Sequence, residues 1–295
     1  MKKWTIVAGP SSQDFARLLS DKLQAPLIKP LVTYFPDGES KIRIDEEAID
    51  GKDVALVQSI YPPVDRHLVQ LLFLAGKLTE MGANVVAITP YLGYARQDKE
   101  FLKGEIVSLK SVANLMAATG IKGIATVDIH NANRMGIFSM PAFNCSAVPL
   151  LAEYVSNADN LKDVIAVSPD IGSKTRVEAF ASVLGCDHLV FQKSRDRITG
   201  EIEMEGGSID LKGRDAVIID DVISTGSTIV KCTQILKKAG AGRVVAACTH
   251  PLLTEGAEGK MAAVGVDEII ATNTIPSQCG KVDVSSLFLG YLESL

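Results

Sequence analysis

Residues 217–228 read Val-Ile-Ile-Asp-Asp-Val-Ile-Ser-Thr-Gly-Ser-Thr, and a helical pattern follows them. Val217, Ile218 and Ile219 form the end of a buried strand. Ser224, Thr225, Gly226, Ser227 and Thr228 then turn the chain into a helix. A turn of this kind presents free backbone N–H groups, several hydroxyl donors and the positive end of a helix dipole, which together suit a phosphate monoester. Gly226 allows the backbone to come close to that ligand. The acid pair Asp220-Asp221 narrows the choice further. A triphosphate-binding loop would read G-x-x-x-x-G-K-[ST], with a lysine inside it. No lysine is present here, and two carboxylates would repel a polyphosphate. They would instead accept hydrogen bonds from a vicinal diol, so phosphate loop and acid pair together imply a ribose 5-phosphate group. An ordinary βα turn with solvated acids is the plainer alternative, and the joint occurrence of strand, acid pair and hydroxyl-rich loop weighs against it.

Working outward, short β-branched runs alternate with helical patterns along the chain. Strands are expected at 5–8, 54–58, 85–89, 124–128, 164–168, 188–191, 216–219, 244–248 and 268–271. Helices are expected at 13–23, 66–81, 108–118, 148–155, 174–184, 228–239 and 255–264. This alternation predicts an α/β fold of mainly parallel sheets flanked by helices. Nearly continuous apolar strands fit sheets buried on both faces. Helices that run into Gly82, Gly120, Gly185 and Gly240 recur in both halves. Two similar α/β domains are therefore expected, 1–143 and 144–277, with 278–295 ending in a short helix of unassigned docking.

The composition bounds the function. Hydrophobic residues make up 47% of 295 and aromatics only 5%, so packing rests on Val, Ile, Leu and Ala. A formal net charge of -5 disfavours general binding of nucleic acid or anionic membrane. Cys145, Cys186, Cys232, Cys248 and Cys279 are scattered, without the spacing of a zinc site or a disulfide framework. The first apolar run ends at Gly9-Pro10, too soon for a signal peptide. The run Leu68–Ala75 is far short of the ~20 residues that cross a bilayer. A cytoplasmic protein is expected.

Five further segments carry candidate chemistry. Residues 35–39, Phe-Pro-Asp-Gly-Glu, contain an Asp37-Gly38 hairpin signal before the alternating Lys41-Ile42-Arg43-Ile44. In residues 90–98, Arg96 and Gln97 follow a strand, and a guanidinium beside an amide suits a nucleotide, although a solvated polar loop would read the same way. At 127–130, Asp128 and His130 are two apart and, on a strand, would share a face. Asp170, in the segment 167–172, sits at a comparable strand end. His67, His188 and His250 are read as structural. Finally, Lys193 and Arg195 in the segment 191–195 are also two apart. Two cations so placed share a face after a strand and suit phosphate charge, although a solvent-facing basic turn would read the same way.

These motifs, in this order and over nearly the whole chain, resemble the ribose-phosphate diphosphokinases, also called phosphoribosyl-diphosphate synthetases. The resemblance implies two domains of the type I phosphoribosyltransferase fold. It also implies transfer of the diphosphoryl group of MgATP to the C1 hydroxyl of ribose 5-phosphate. ATP would be held by Phe35, Asp37, Gly38, Glu39, Arg96 and Gln97, with the Phe stacking on adenine. Ribose 5-phosphate would be held by Arg195, Asp220, Asp221, Ser224, Thr225, Gly226, Ser227 and Thr228. The resemblance places Mg²⁺ at His130 and Asp170, with Asp128 beside them, and makes Lys193 and Arg195 catalytic. It further implies a homo-oligomer built from dimers. Ser224 departs from the family, standing where many members have Asp, and residues 99–108 lack the Arg-Glu-Pro-Ile often found after Arg-Gln-Asp. The resemblance also reaches Thr272-Asn273-Thr274. A phosphoribosyltransferase and a non-catalytic regulatory homologue are the rival readings. The first would need no ATP site, and the second could lose the catalytic cations.

Overall fold

The computed structural model describes residues 3–45, 49, 52–157, 161–195, 202–205 and 210–295, the side chains of 192–195 and 202–205 excepted. The chain divides into two compact units. One comprises 1–146, 274–276 and 284–295, and the other 147–273 and 277–283.

In the first unit the elements are β1 (Trp4–Ala8), α1 (Gln13–Leu23), β2 (Leu27–Ile28), β3 (Leu31–Tyr34), β4 (Ser40–Arg43), β5 (Asp53–Val57), α2 (Val64–Glu80), β6 (Asn84–Thr89), α3 (Ser108–Ala118), β7 (Gly123–Val127) and β8 (Ala142–Cys145). Six strands form a sheet in the order β2-β1-β5-β6-β7-β8, and every pairing is parallel. The second unit contains α4 (Val148–Ser156), β9 (Ile165–Ser168), α5 (Lys174–Leu184), β10 (Asp187–Val190), β11 (Gln192–Arg195), β12 (Ile202–Glu205), β13 (Ala216–Ile223), α6 (Ser227–Lys238), β14 (Val244–Pro251), α7 (Ala257–Ala263), β15 (Glu268–Thr272) and β16 (Gly280–Val282). Its sheet order, β10-β9-β13-β14-β15-β16, is again wholly parallel and repeats the first unit strand for strand. Each unit also inserts an antiparallel hairpin after its second sheet strand, β3-β4 in one and β11-β12 in the other.

Parallel pairing requires helical crossovers, and these cover both sheet faces. The central strands β1, β7 and β14 are accordingly buried at every position. On α2, Leu68, Leu71, Ala75 and Leu78 recur at helical spacing and pack into the first core with Leu56, Val85 and Ile124. Ile218, Cys232, Leu236 and Val244 do the same in the second. All five cysteines are unpaired, and four are buried.

The expected terminal segment 278–295 is not one element. Its first part holds β16, an edge strand of the second sheet. Residues 284–295 belong to the first unit, and the helix itself, α8 (Leu289–Ser294), is six residues long. Apolar contacts absent from any local pattern decide this docking. The Phe288 ring meets Phe15 of α1 edge-on at 5.8 Å, Tyr291 stacks on Phe143 at 5.2 Å, and Trp4 Nε1 donates to Leu292 O at 3.1 Å. Gly123 leaves room for the Tyr291 hydroxyl, which would lie 2.5 Å from a Cβ there. No helix among the described residues is long and apolar enough to cross a membrane.

Candidate active site

The segment 216–228 folds as a longer strand than its sequence suggests. β13 runs on through Asp220 and Asp221 to Ile223, because β14 continues beside it and pairs Val222 with His250 and Ile223 with Pro251. Both acids are thus held by strand backbone rather than by a loose turn. Ser224 and Thr225 form the bend, Gly226 caps α6 with φ +74°, and α6 begins at Ser227 with no side-chain cap on its first turn. The Thr225 and Ser227 hydroxyls lie 3.0 Å apart, and the Ser224 hydroxyl lies 3.3 Å from that of Thr254. The sequence-predicted residues Ser224, Thr225, Gly226, Ser227 and Thr228 therefore form one hydroxyl-lined turn at a helix N-terminus, directly after the acid pair.

A Cβ at Gly226 would lie 3.2 Å from Met261 Cγ of α7, in a backbone conformation that costs a β-carbon about 1–2 kcal/mol. Gly226→Ala is expected to lower unfolding free energy by roughly that amount, which denaturant titration checks.

The acid pair has a partner that the sequence did not reveal. Arg176 Nη1, from the first turn of α5, lies 3.9 Å from Asp220 Oδ1 and 3.7 Å from Asp221 Oδ1. The same nitrogen donates to Ser173 Oγ at 2.8 Å. Ser173 Oγ lies in turn 3.4 Å from Asp220 Oδ1. A cation in the first turn of a helix opposes the helix dipole, and that misfit is the one local hint of its task. Burial, followed by the neighbouring Asp221 charge, pushes the Asp220 carboxyl well above its ordinary range; Arg176 pulls the other way and Asp170 adds to the rise. Asp170 caps the turn after β9, its Oδ1 accepting from Ser173 N at 3.1 Å.

Lys193 and Arg195 occupy β11, where Lys193 pairs with Met204 and Arg195 with Ile202 of β12. The segment after β10 is thus itself a hairpin strand, and the two side chains lie outside the described residues.

In the first unit, Phe35–Glu39 closes the β3-β4 hairpin. Gly38 N donates to Phe35 O at 2.9 Å and Phe35 N to Glu39 O at 2.9 Å, while Asp37 Oδ1 accepts from Glu39 N at 3.2 Å. Pro36 and Asp37 are the central residues of the turn, and Gly38, with φ +94°, forms the bulge after it. Phe35 is left 48% exposed, with Lys41 Nζ over its ring, 5.9 Å from the centroid. Arg96 is exposed after β6, whereas Gln97 contacts Glu105 at 3.4 Å and its carbonyl receives Leu109 N. Among the described residues, no hydrogen bond or ion pair joins Phe35–Glu39 to Arg96 or Gln97. Asp98, not singled out from sequence, is buried and accepts from Asn131 Nδ2 at 2.7 Å and Arg134 Nε at 3.3 Å, which ties the loop after β6 to the one after β7.

Asp128 and His130 do not share a strand face. β7 ends at Val127 and Asp128 takes φ +38°. The ladder to β8 closes with Asp128 N donating to Cys145 O, and Ile129 N then turns to the Asn144 side chain, Oδ1, both at 2.8 Å. Asp128 is buried and His130 exposed. His67, read as structural, holds its Nδ1 2.7 Å from Tyr61 O, and the rings meet edge-on at 4.7 Å.

The repeat of topology explains why the acid pair occurs once. Counted from Lys52-Asp53 and Arg214-Asp215, which lead into the third strand of each sheet, Gln58-Ser59 stand where Asp220-Asp221 stand. Gln58 is spent on internal bonds, accepting from Ser11 N and donating to His67 O, each at 3.1 Å. Ser59 Oγ donates to Thr274 O at 2.8 Å and accepts from Tyr91 N at 3.0 Å. Pro62 and Pro63 then remove two amides from the loop that would face a phosphate.

Comparison with known proteins bears on this geometry. Residues 4–120 match the family model described as the N-terminal domain of ribose phosphate pyrophosphokinase, and residues 202–288 match the phosphoribosyl synthetase-associated domain. A ribose-phosphate pyrophosphokinase of Methanothermobacter thermautotrophicus is 39% identical over 96% of this chain and 97% of its own. The chain belongs to the ribose-phosphate pyrophosphokinase family. The Campylobacter jejuni pyrophosphokinase is 38% identical over 94% of this chain and 89% of its own. The crystal structure of phosphoribosylpyrophosphate synthetase from Mycobacterium smegmatis superposes with a TM-score of 0.88 at 29% identity, covering 99% of this chain and 98% of that one. The two-unit α/β architecture is thus the pyrophosphokinase fold, as the motifs implied.

Proposed function

We propose that the chain transfers the diphosphoryl group of ATP to ribose 5-phosphate, giving 5-phosphoribosyl 1-diphosphate and AMP. The observation that carries this reading is the acid pair Asp220-Asp221 held on β13 immediately before the hydroxyl-lined N-terminus of α6. The carboxylates accept hydrogen bonds from two ribose hydroxyls, and the α6 amides with the Ser224–Thr228 turn receive the 5-phosphate. Phe35, Asp37, Gly38, Glu39, Arg96 and Gln97 of the first unit hold ATP. The C1 hydroxyl oxygen attacks the β-phosphorus and gives up its proton to solvent, the bond from that phosphorus to the α,β-bridging oxygen breaks, and AMP leaves with the electron pair. Lys193 and Arg195 neutralise charge on the migrating group, and Arg195 also contacts the sugar phosphate.

Mg²⁺ suits this reaction by donor chemistry, since it takes one or two carboxylates together with substrate oxygens and waters. Asp170, at the turn after β9 with its Oδ1 accepting from Ser173 N, is the second unit's candidate carboxylate for such an ion. Asp128 and His130 are the first unit's candidates. When bound, the ion would offset charge on the phosphates. A homo-oligomer built from dimers belongs to the same reading.

The assay is AMP release from MgATP with and without ribose 5-phosphate. Sugar-dependent AMP is expected. AMP formed equally without the sugar would replace the proposal with a hydrolase.

A further inference from the structure

We infer that Arg176 is a positioning residue for the sugar, its guanidinium holding the Asp220 and Asp221 carboxylates in the orientation that receives the two ribose hydroxyls. The inference rests on the reading of that pair as the ribose site. Adjacent strand residues point to opposite faces of a sheet, so two consecutive acids have no intrinsic reason to act on one ligand. One nitrogen within 4 Å of both resolves this, lying 3.9 Å from Asp220 Oδ1 and 3.7 Å from Asp221 Oδ1. All three side chains are largely buried, at 15%, 15% and 7% exposure for Arg176, Asp220 and Asp221. The contact is therefore poorly screened by solvent, unlike a surface ion pair.

Three further contacts fix the arrangement. Arg176 Nη1 donates to Ser173 Oγ at 2.8 Å, Ser173 Oγ lies 3.4 Å from Asp220 Oδ1, and Asp221 N donates to Asp220 Oδ1 at 2.9 Å. These bonds occupy Asp220 Oδ1 and leave Oδ2 as that carboxylate's oxygen for the sugar. The short turn 171–173 sets Arg176 at the right height on α5, so the loop after β9 and the strand β13 are tuned to each other through this one side chain. A planar guanidinium suits the task because its donors are fixed in direction, which a lysine ammonium cannot reproduce.

Arg176→Gln tests the role, with kcat, both KM values and direct calorimetric binding of ribose 5-phosphate as readouts. The expected result is a rise of about tenfold or more in KM and Kd for the sugar, the usual consequence of truncating a buried charge pair, with KM for ATP unchanged. Arg176→Lys is expected to recover part of the sugar affinity. A folded Arg176→Gln enzyme with parental sugar Kd would overturn the inference, as would equal rises in both KM values. Should the Gln variant not fold, the Lys variant decides: a sugar KM raised alone supports the role, and no change or a rise shared with ATP refutes it. Asp221→Asn is measured alongside. If it too leaves sugar binding intact, the ribose-site reading has failed; if it abolishes binding while Arg176→Gln does not, only the role of Arg176 has.

Discussion

Lys193→Ala is expected to lower turnover by about 10²–10³-fold or more, with ribose 5-phosphate binding little changed. In diphosphoryl transfer the protein contributes little covalent chemistry; it positions two substrates and stabilises charge as the bond to the leaving AMP lengthens. A cation that acts on the migrating group is needed most in the transition state. Its loss therefore appears in kcat rather than in the sugar's Kd. Lys193 lies on β11 of a two-stranded hairpin, paired with Met204. The hairpin stands outside the six-stranded sheet that fixes the acid pair, so removing the Lys193 side chain leaves Asp220, Asp221 and the Ser224–Thr228 turn in place. Steady-state kinetics together with calorimetry check the split, and an unchanged kcat would remove Lys193 from the mechanism.

Asp220→Asn is expected to act in two opposite directions. Sugar affinity should fall by about tenfold or more, because a charged acceptor for a ribose hydroxyl is lost. Stability should rise at neutral and alkaline pH. Burial and the adjacent Asp221 charge raise the Asp220 pKa in the folded protein well above 3.8. The native state therefore holds this proton more tightly than the unfolded chain does. The stability due to that proton is fully present below the unfolded pKa and is lost as pH rises through the folded value. Asparagine keeps a neutral group at every pH. The gain in Tm over the parent should thus be largest at alkaline pH and vanish towards pH 4. Thermal unfolding across that range is the measurement, and a Tm difference that does not vary with pH would contradict the assigned cause. The expectation places a stability cost at the ligand site, where a burial-disfavoured carboxylate is retained for what it binds.

Much of the fold was legible locally. α1, α3 and α5 begin and end where their apolar spacing predicts, and Gly82, Gly120, Gly185 and Gly240 all carry the positive φ that their places after helices implied. The strands that were missed are short and depend on partners. β8 exists because β7 pairs with it, and β16 because β15 does. The hairpin at Phe35–Glu39 was signalled by Asp37-Gly38, yet Pro36 and Asp37 form its turn, since proline favours the second turn position and Gly38 then takes the bulge. The same-face argument for Asp128 and His130 failed because it assumed strand backbone past Val127. Asp128 N closes the ladder on Cys145 O, and Ile129 N is then taken by the Asn144 side chain, fifteen residues along the chain.

The sequence by itself pointed to a class of ligand at 217–228: acids for a diol, amides and hydroxyls for a phosphate, and no lysine for a triphosphate. Those are properties of side-chain chemistry and short-range turn geometry, which survive without knowledge of neighbours. It also determined the alternation that makes parallel sheets, because hydrophobic periodicity is local. Only the tertiary structure decided that β13 extends through both acids, since that depends on β14 running beside it. Only it brought Arg176, more than forty residues away in sequence, within 4 Å of Asp220 and Asp221. It alone showed that Gln58 and Ser59, at the matching place in the first unit, are consumed by internal hydrogen bonds. Contacts between distant segments come from packing crossover helices onto one sheet, and no local pattern encodes which side chains of those helices then meet the strands.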